Sequence, residues 1–159
     1  VLSNDPDASF EILTRENREQ VRRKLDPYNQ FNEQLVIASK SAAEMPCALT
    51  RHSSSAMFFS AGLAKLGSSP TRMGEILATG LPIVTNSGVG DVRQIIERYN
   101  VGVIVETNST HDMRAAYHSL KKLEQEPDLA ARCRSAAESI FSLQSGVDEY
   151  LKIYKSILS

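Results

Sequence analysis

Short apolar runs alternate with helical patterns along the first two thirds of the chain. Five runs read as strands, over residues 10–14, 35–38, 56–59, 81–85 and 101–105. Each is four or five residues long and nearly continuous in apolar side chains, the pattern of strands covered on both faces. Between them the apolar spacing changes to three and four. Residues 16–25, 42–52, 70–79 and 90–99 read as helices. In the third of these, Met73, Ile76 and Leu77 make the stripe that a helix lays on a sheet. This alternation predicts an α/β fold, a parallel sheet with flanking helices in which strands and crossovers form one unit. After Val105 the pattern is helical, over 109–125, 127–139 and 145–158, with Pro127 suited to a first helical position. The last segment carries an apolar stripe at Val147, Tyr150, Leu151, Tyr154 and Leu158. It reads either as a face left exposed or as the cover of the sheet.

Composition narrows the picture. The chain of 159 residues is long enough for one domain with a real core, and its 42% hydrophobic content argues against disorder. Lys and Arg number 18 against 19 Asp and Glu, so no global positive surface invites nucleic acid, and any anion site must be local. No apolar run is long enough to span a membrane, and a cytoplasmic setting is expected. Cys47 and Cys133, far apart in a chain without a secretory signal, read as reduced and buried. The chain opens at Val1 with no strand signal before Phe10, as expected of a fragment of a larger protein or of a processed one.

The chemistry concentrates between Gly67 and Asn86. Ser69 suits an N-cap, Pro70 a first helical position, and Gly80 a C′ stop. That places Arg72 at N3, where a capping box would have Glu or Gln. A cation in the first turn opposes the helix dipole. First-turn amides incompletely used by the chain, with a positive group beside them, form an anion site, and phosphate is the usual anion. One turn on, Glu75 can accept hydrogen bonds from sugar hydroxyls. Gly74 weakens the helix by about 1 kcal/mol relative to Ala, which close packing or close ligand approach would explain.

These residues also resemble a known family. The run Ser69-Pro70-Thr71-Arg72, then Glu75, Ala78 and Gly80-Leu81-Pro82-Ile83-Val84, is similar to the nucleotide-sugar-binding segment of retaining glycosyltransferases of the GT-B fold, the group called glycosyltransferase family 4. The likeness continues through 86–92 and 101–105 to Phe141-Ser142-Leu143, and more weakly back to 10–14. It implies a Rossmann-like domain, the C-terminal half of a GT-B enzyme, that binds a nucleoside diphosphate sugar as substrate, with no cofactor and no metal. Ser68, Ser69, Pro70, Thr71 and Arg72 would face the diphosphate and Glu75 the ribose; Pro70 has no N–H to give. Lys65, Gly67, Gly88 and Val89 are further candidates for donor or cleft contacts. Many family members carry a glutamate eight positions before Glu75, close to the donor sugar; here that residue is Gly67, so no catalytic residue is assigned. A subset of the family has Ser-Pro-Thr-Lys at the segment, as this chain nearly does. The acceptor half would be a missing N-terminal domain, through which peripheral membrane contact could be made, and the isolated chain would not transfer sugar.

Other motifs carry less. Gly62 and Gly67 have the spacing of a P-loop, but Ser68 stands where its lysine is required, which argues against a nucleoside triphosphatase. Asp91, in the first turn after the glycine-bearing loop 86–90, suits the dipole as a structural device. His52, His111 and His118 form no metal pattern, and no nucleophile elbow is present. Two other readings remain: a non-catalytic doubly wound interaction module, and a sugar-nucleotide epimerase of the same architecture.

Overall fold

The computed structural model describes residues 2, 5–60 and 62–158, without the side chains of Tyr28 and Asn29. The chain divides into two compact units, Val1–Ala48 and Leu49–Ser159. Each builds its own small parallel sheet with flanking helices. The five strands expected in one sheet are therefore split between a two-stranded and a three-stranded sheet. Apolar runs reveal that strands exist; which strands pair is decided by tertiary packing.

The first unit is a βαβ arrangement. Strand β1 (Phe10–Leu13) pairs in parallel with β2 (Leu35–Ala38), Phe10 opposite Leu35 and Leu13 opposite Ala38. Helix α1 (Arg18–Leu25) and a 3-10 turn (Asp26–Phe31) make the crossover. Helix α1 starts two residues later than its apolar pattern because Asn17 takes the N-cap, accepting from the amides of Glu19 at 2.9 Å and Gln20 at 3.2 Å. Helix α2 (Met45–Leu49), in which the division between the units falls, is shorter than the 42–52 expected. Pro46 explains its late start: deeper in a helix, its ring would clash with the carbonyl four residues back.

In the second unit, β3 (Ser55–Met57), β4 (Ile83–Asn86) and β5 (Gly102–Val105) lie side by side in chain order, all parallel. A four-residue helix, α3 (Leu63–Leu66), and then α4 (Thr71–Ala78) connect β3 to β4; α5 (Val92–Tyr99) connects β4 to β5. The strand at β4 begins after Pro82, which lacks the N–H that a ladder needs. Buried Met73, Ile76 and Leu77 of α4 and Val92, Ile95 and Ile96 of α5 form the core with Ile83, Val101 and Val105. The expected helix stop at Gly80 is a Schellman motif. Gly80, at φ +86°, donates to Leu77 O at 2.9 Å, and Leu81 donates to Ile76 O at 3.4 Å.

Three further helices follow: α6 (Thr110–Leu123), α7 (Leu129–Phe141) and α8 (Leu143–Leu158). Ser109 caps α6 by accepting from the Asp112 amide at 3.1 Å, while Pro127 lies ahead of the Asp128 cap of α7 rather than inside the helix. Helix α7 packs along α4, and Gly74 is the reason it can. A β-carbon at Gly74 would come within 2.6 Å of the Phe141 ring. The close packing offered as an explanation for that glycine is present. Cys133 of α7 is buried as expected, but Cys47 of α2 is exposed. A five-residue helix whose first residues carry Met45 and Pro46 offers no long apolar face to hold that thiol inside. No residue of α8 is buried, so its apolar stripe is an exposed face and not the cover of the sheet.

Candidate functional site

The carboxyl ends of β3, β4 and β5 form one rim, and the two loops singled out in the sequence rise from it. In an open parallel sheet this rim is where ligands bind. The loop expected over 60–69 is partly helical. Gly62 opens α3 with extended backbone, and Gly67 closes it at φ −98°, ψ 11°. Lys65 N–H donates to Gly62 O and Ser68 N–H to Lys65 O. Those amides are spent inside the short helix, so the P-loop spacing makes no phosphate cradle. Ala61 lies outside the described residues.

Helix α4 starts one residue later than expected. Pro70 is the N-cap, at φ −71° and ψ 110°, and Thr71 is the first helical residue. Arg72 is therefore at N2, and Met73, whose N–H donates to Pro70 O at 2.9 Å, is at N3. Ser69 does not cap the helix. Its hydroxyl donates instead to Asp91 Oδ2 at 3.2 Å. A proline cap has no side-chain acceptor, and the first turn carries no acidic residue. The helix thus begins with no side-chain cap and no acid in its own first turn, and with exposed Arg72 beside it.

The two loops are clasped together beside that helix start. Gly90 N–H donates to Lys65 O at 2.9 Å, and the Gly90 α-carbon lies against the Ser68 carbonyl. Asp91, at the N-cap of α5 and not in its first turn, takes the Ser69 hydroxyl on Oδ2, while its buried Oδ1 has no hydrogen-bond partner. Ser68 donates its own hydroxyl to Ala64 O at 3.2 Å. Lys65, Ser68 and Ser69 are thereby brought together with Gly90 and Asp91. Gly88 is exposed at φ +83°, whereas the Val89 side chain is buried in the core, leaving only its backbone for the rim. Gly67 is exposed, and a β-carbon there would meet nothing within 4 Å. A side chain at 67 would fit.

Glu75 stands apart from this cluster. It is exposed and lines an open groove of about 580 Å³ between α4 and α7, with Thr71, Gly74, Arg134, Glu138 and Phe141. Arg134 and Glu138 are four residues apart, hence on one face of α7, but nothing in the sequence pairs that face with α4. A second cavity, of about 330 Å³, opens at the strand ends and is lined by Phe58, Phe59, Ser60, Asn86 and Asn108. Lys65 lies beside it, with Nζ 5.9 Å from the centroid of the Phe59 ring. Among the described residues no group of three His, Cys, Asp or Glu side chains could hold a metal ion.

No protein-family model matches the chain, and no curated protein matches it.

Proposed function

We propose that this chain is the donor-binding part of a retaining glycosyltransferase and takes a nucleoside diphosphate sugar. One observation carries the reading. The α4 N-terminus has no side-chain cap and no acid in its first turn, yet it has Arg72 at N2, on the ligand-binding rim of a parallel sheet. A helix start with those properties favours a multiply charged anion. Glu75, one turn further along and exposed, is a carboxylate acceptor of the kind that grips the two hydroxyls of a ribose.

The chemistry asked of the chain is stabilisation of a leaving group. As the glycosidic bond to the diphosphate breaks, negative charge grows on the departing phosphate oxygen. Fixed amide dipoles at the α4 start, the Arg72 guanidinium and the Lys65 ammonium would hold that charge without reorganising. The acceptor, and the groups that steer it, would belong to an N-terminal half outside this chain. The isolated chain should therefore bind donor and transfer nothing.

Calorimetric titration with several nucleoside diphosphates and the matching monophosphates tests this. At least one diphosphate should bind, more tightly than its monophosphate. Glu75→Gln should weaken it by about 1.5–3 kcal/mol, roughly 10- to 150-fold. No binding by any diphosphate would remove the proposal; equal affinity of the variant would remove Glu75 from the site.

A further inference from the structure

The cavity at the strand ends has a construction that the diphosphate site does not require. Phe59 follows β3 as though the strand continued, but its peptide is paired with a side chain instead of a neighbouring strand. Phe59 N–H donates to Asn86 Oδ1 at 2.8 Å, and Asn86 Nδ2 donates to Phe59 O at 3.0 Å. The Asn86 amide thus mimics one rung of the ladder between β3 and β4. It also donates to Ser87 O at 3.3 Å, which fixes it against the start of the glycine-bearing loop. The backbone beyond β3 is thereby tied to the end of β4, and Phe58, 48% exposed, stands on the wall of the cavity. Ser60 and Asn108, both exposed, bring a hydroxyl and an amide to the same space.

An aromatic ring held half-exposed, with a hydroxyl and an unshielded amide around it, is the composition that recognises a sugar ring. The C–H face of a pyranose carries partial positive charge and packs on the negative face of an aromatic ring. Its hydroxyl edge takes both donors and acceptors, which Ser and Asn supply together. A cavity of about 330 Å³ has room for one such ring and not for a nucleoside as well. Contacts give the polarity. Lys65 Nζ lies 5.9 Å from the centroid of the Phe59 ring on the cavity wall, Lys65 O accepts from Gly90 N–H at 2.9 Å, and Ser69, just ahead of the α4 start, donates to Asp91 beside Gly90, while Glu75 lies in the groove facing α7. A donor whose diphosphate lies at the α4 start and whose ribose is at Glu75 has its sugar on the Phe58 side.

We infer that the Phe58–Asn86–Asn108 cavity is the subsite for the transferred sugar, a hexopyranose-sized ring stacked on Phe58 with its hydroxyl edge toward Ser60 and Asn108. This rests on the donor-binding reading above. Asn86 is the positioning residue, because its amide is consumed in holding Phe59 and none of it is directed to a ligand.

The test compares a nucleoside diphosphate with its glucose conjugate, using UDP and UDP-glucose, GDP and GDP-glucose, and ADP and ADP-glucose. Affinities are measured by calorimetry, and magnetisation transfer from protein to the glucose ring protons by NMR. For the base that binds, the conjugate should bind about fivefold more tightly than the diphosphate alone. Transfer should reach the glucose C–H protons. Phe58→Ala should abolish both the increment and the transfer while leaving diphosphate affinity within twofold; Phe58→Tyr should keep both. Binding of the diphosphate with no sugar increment, or an increment that survives Phe58→Ala, overturns the subsite and leaves the donor-binding reading intact. Binding of none of the six ligands overturns both. Transfer confined to the base protons and lost in Phe58→Ala would show that the cavity holds the base, and would overturn the assignment.

Discussion

The carbonyl oxygen of Ser68 stands 1.8 Å from the place where a β-carbon on Gly90 would lie. Two loops from different strands are in contact there through backbone alone, and Gly90 sits at φ +34° to allow it. Backbone cannot rotate away as a side chain can. Gly90→Ala should therefore lower stability by about 2–4 kcal/mol, from steric overlap and left-handed backbone together. Gly88→Ala is the internal control. It has φ +83° but open space around its α-carbon, so it should cost only the backbone strain, about 1–2 kcal/mol. Urea unfolding of both variants measures the difference. Equal losses would mean that the loops do not touch as described.

Arg72→Ala should weaken anion binding without weakening the fold. The side chain is exposed at the positive end of α4, where a cation is unfavourable by about 0.3–1 kcal/mol. In buffer free of phosphate the variant should melt at the same temperature as the parent or slightly above it. With a nucleoside diphosphate present, the parent should gain more than the variant. A variant clearly less stable without ligand would make Arg72 a structural residue and remove the argument that rests on its odd position.

How much of this was legible in the sequence follows the range of the forces involved. The strands at β1, β2, β4 and β5 lie within two residues of their apolar runs, and the stop at Gly80 was readable because a Schellman turn is set by a few adjacent residues. The start of α4 was misplaced by one. Ser69 has the right chemistry for a cap, but Asp91, twenty-two positions away, takes its hydroxyl. Helix α3 gave no signal because it is four residues long: Leu63 and Leu66 make a single pair at helical spacing, and one turn is too short to show a period. The division of the strands into two sheets and the setting of Glu75 against α7 depend on contacts between distant segments. No local pattern encodes those. The Phe58 cavity was hidden for the same reason: Asn86 and Phe59 are bonded across twenty-seven positions.

The two thiols should differ sharply in reactivity. Burial pushes the Cys133 thiol up from the ordinary 9.0 to about 11, although Arg132 and Arg134 pull the other way, while Cys47 is exposed. At pH 8 an aromatic disulfide reagent should label Cys47 in the folded protein and reach Cys133 only on unfolding. The sign of the stability effect follows from linkage. The folded thiol keeps its proton to a higher pH than the unfolded one, so Cys133 contributes its full stability below about pH 9 and loses it as pH rises through about 11. Cys133→Ala should flatten that decline in alkaline melts. An unchanged decline would assign it to other groups.

Helix α8 should make the chain self-associate. Leu143, Val147, Tyr150, Leu151, Ile153, Tyr154, Ile157 and Leu158 are all exposed and fall on one side of the helix, while Asp148, Glu149, Lys152 and Lys155 occupy the other. The apolar side presents on the order of 1,000 Å², above the roughly 300–600 Å² of the largest patch on an ordinary monomer. Its two acids and two bases cancel, so the helix offers no net charge to draw it to an anionic membrane surface. The acids lie toward its N-terminal half and the bases toward its C-terminal half, an arrangement that favours antiparallel pairing with a second copy. Light scattering should show mass rising with concentration for the parent chain. Tyr150→Glu with Tyr154→Glu should return it to a monomer at unchanged melting temperature, because neither ring is buried. A parent that stays monomeric at every concentration, or a double variant that unfolds, would show that this face is already covered within the chain.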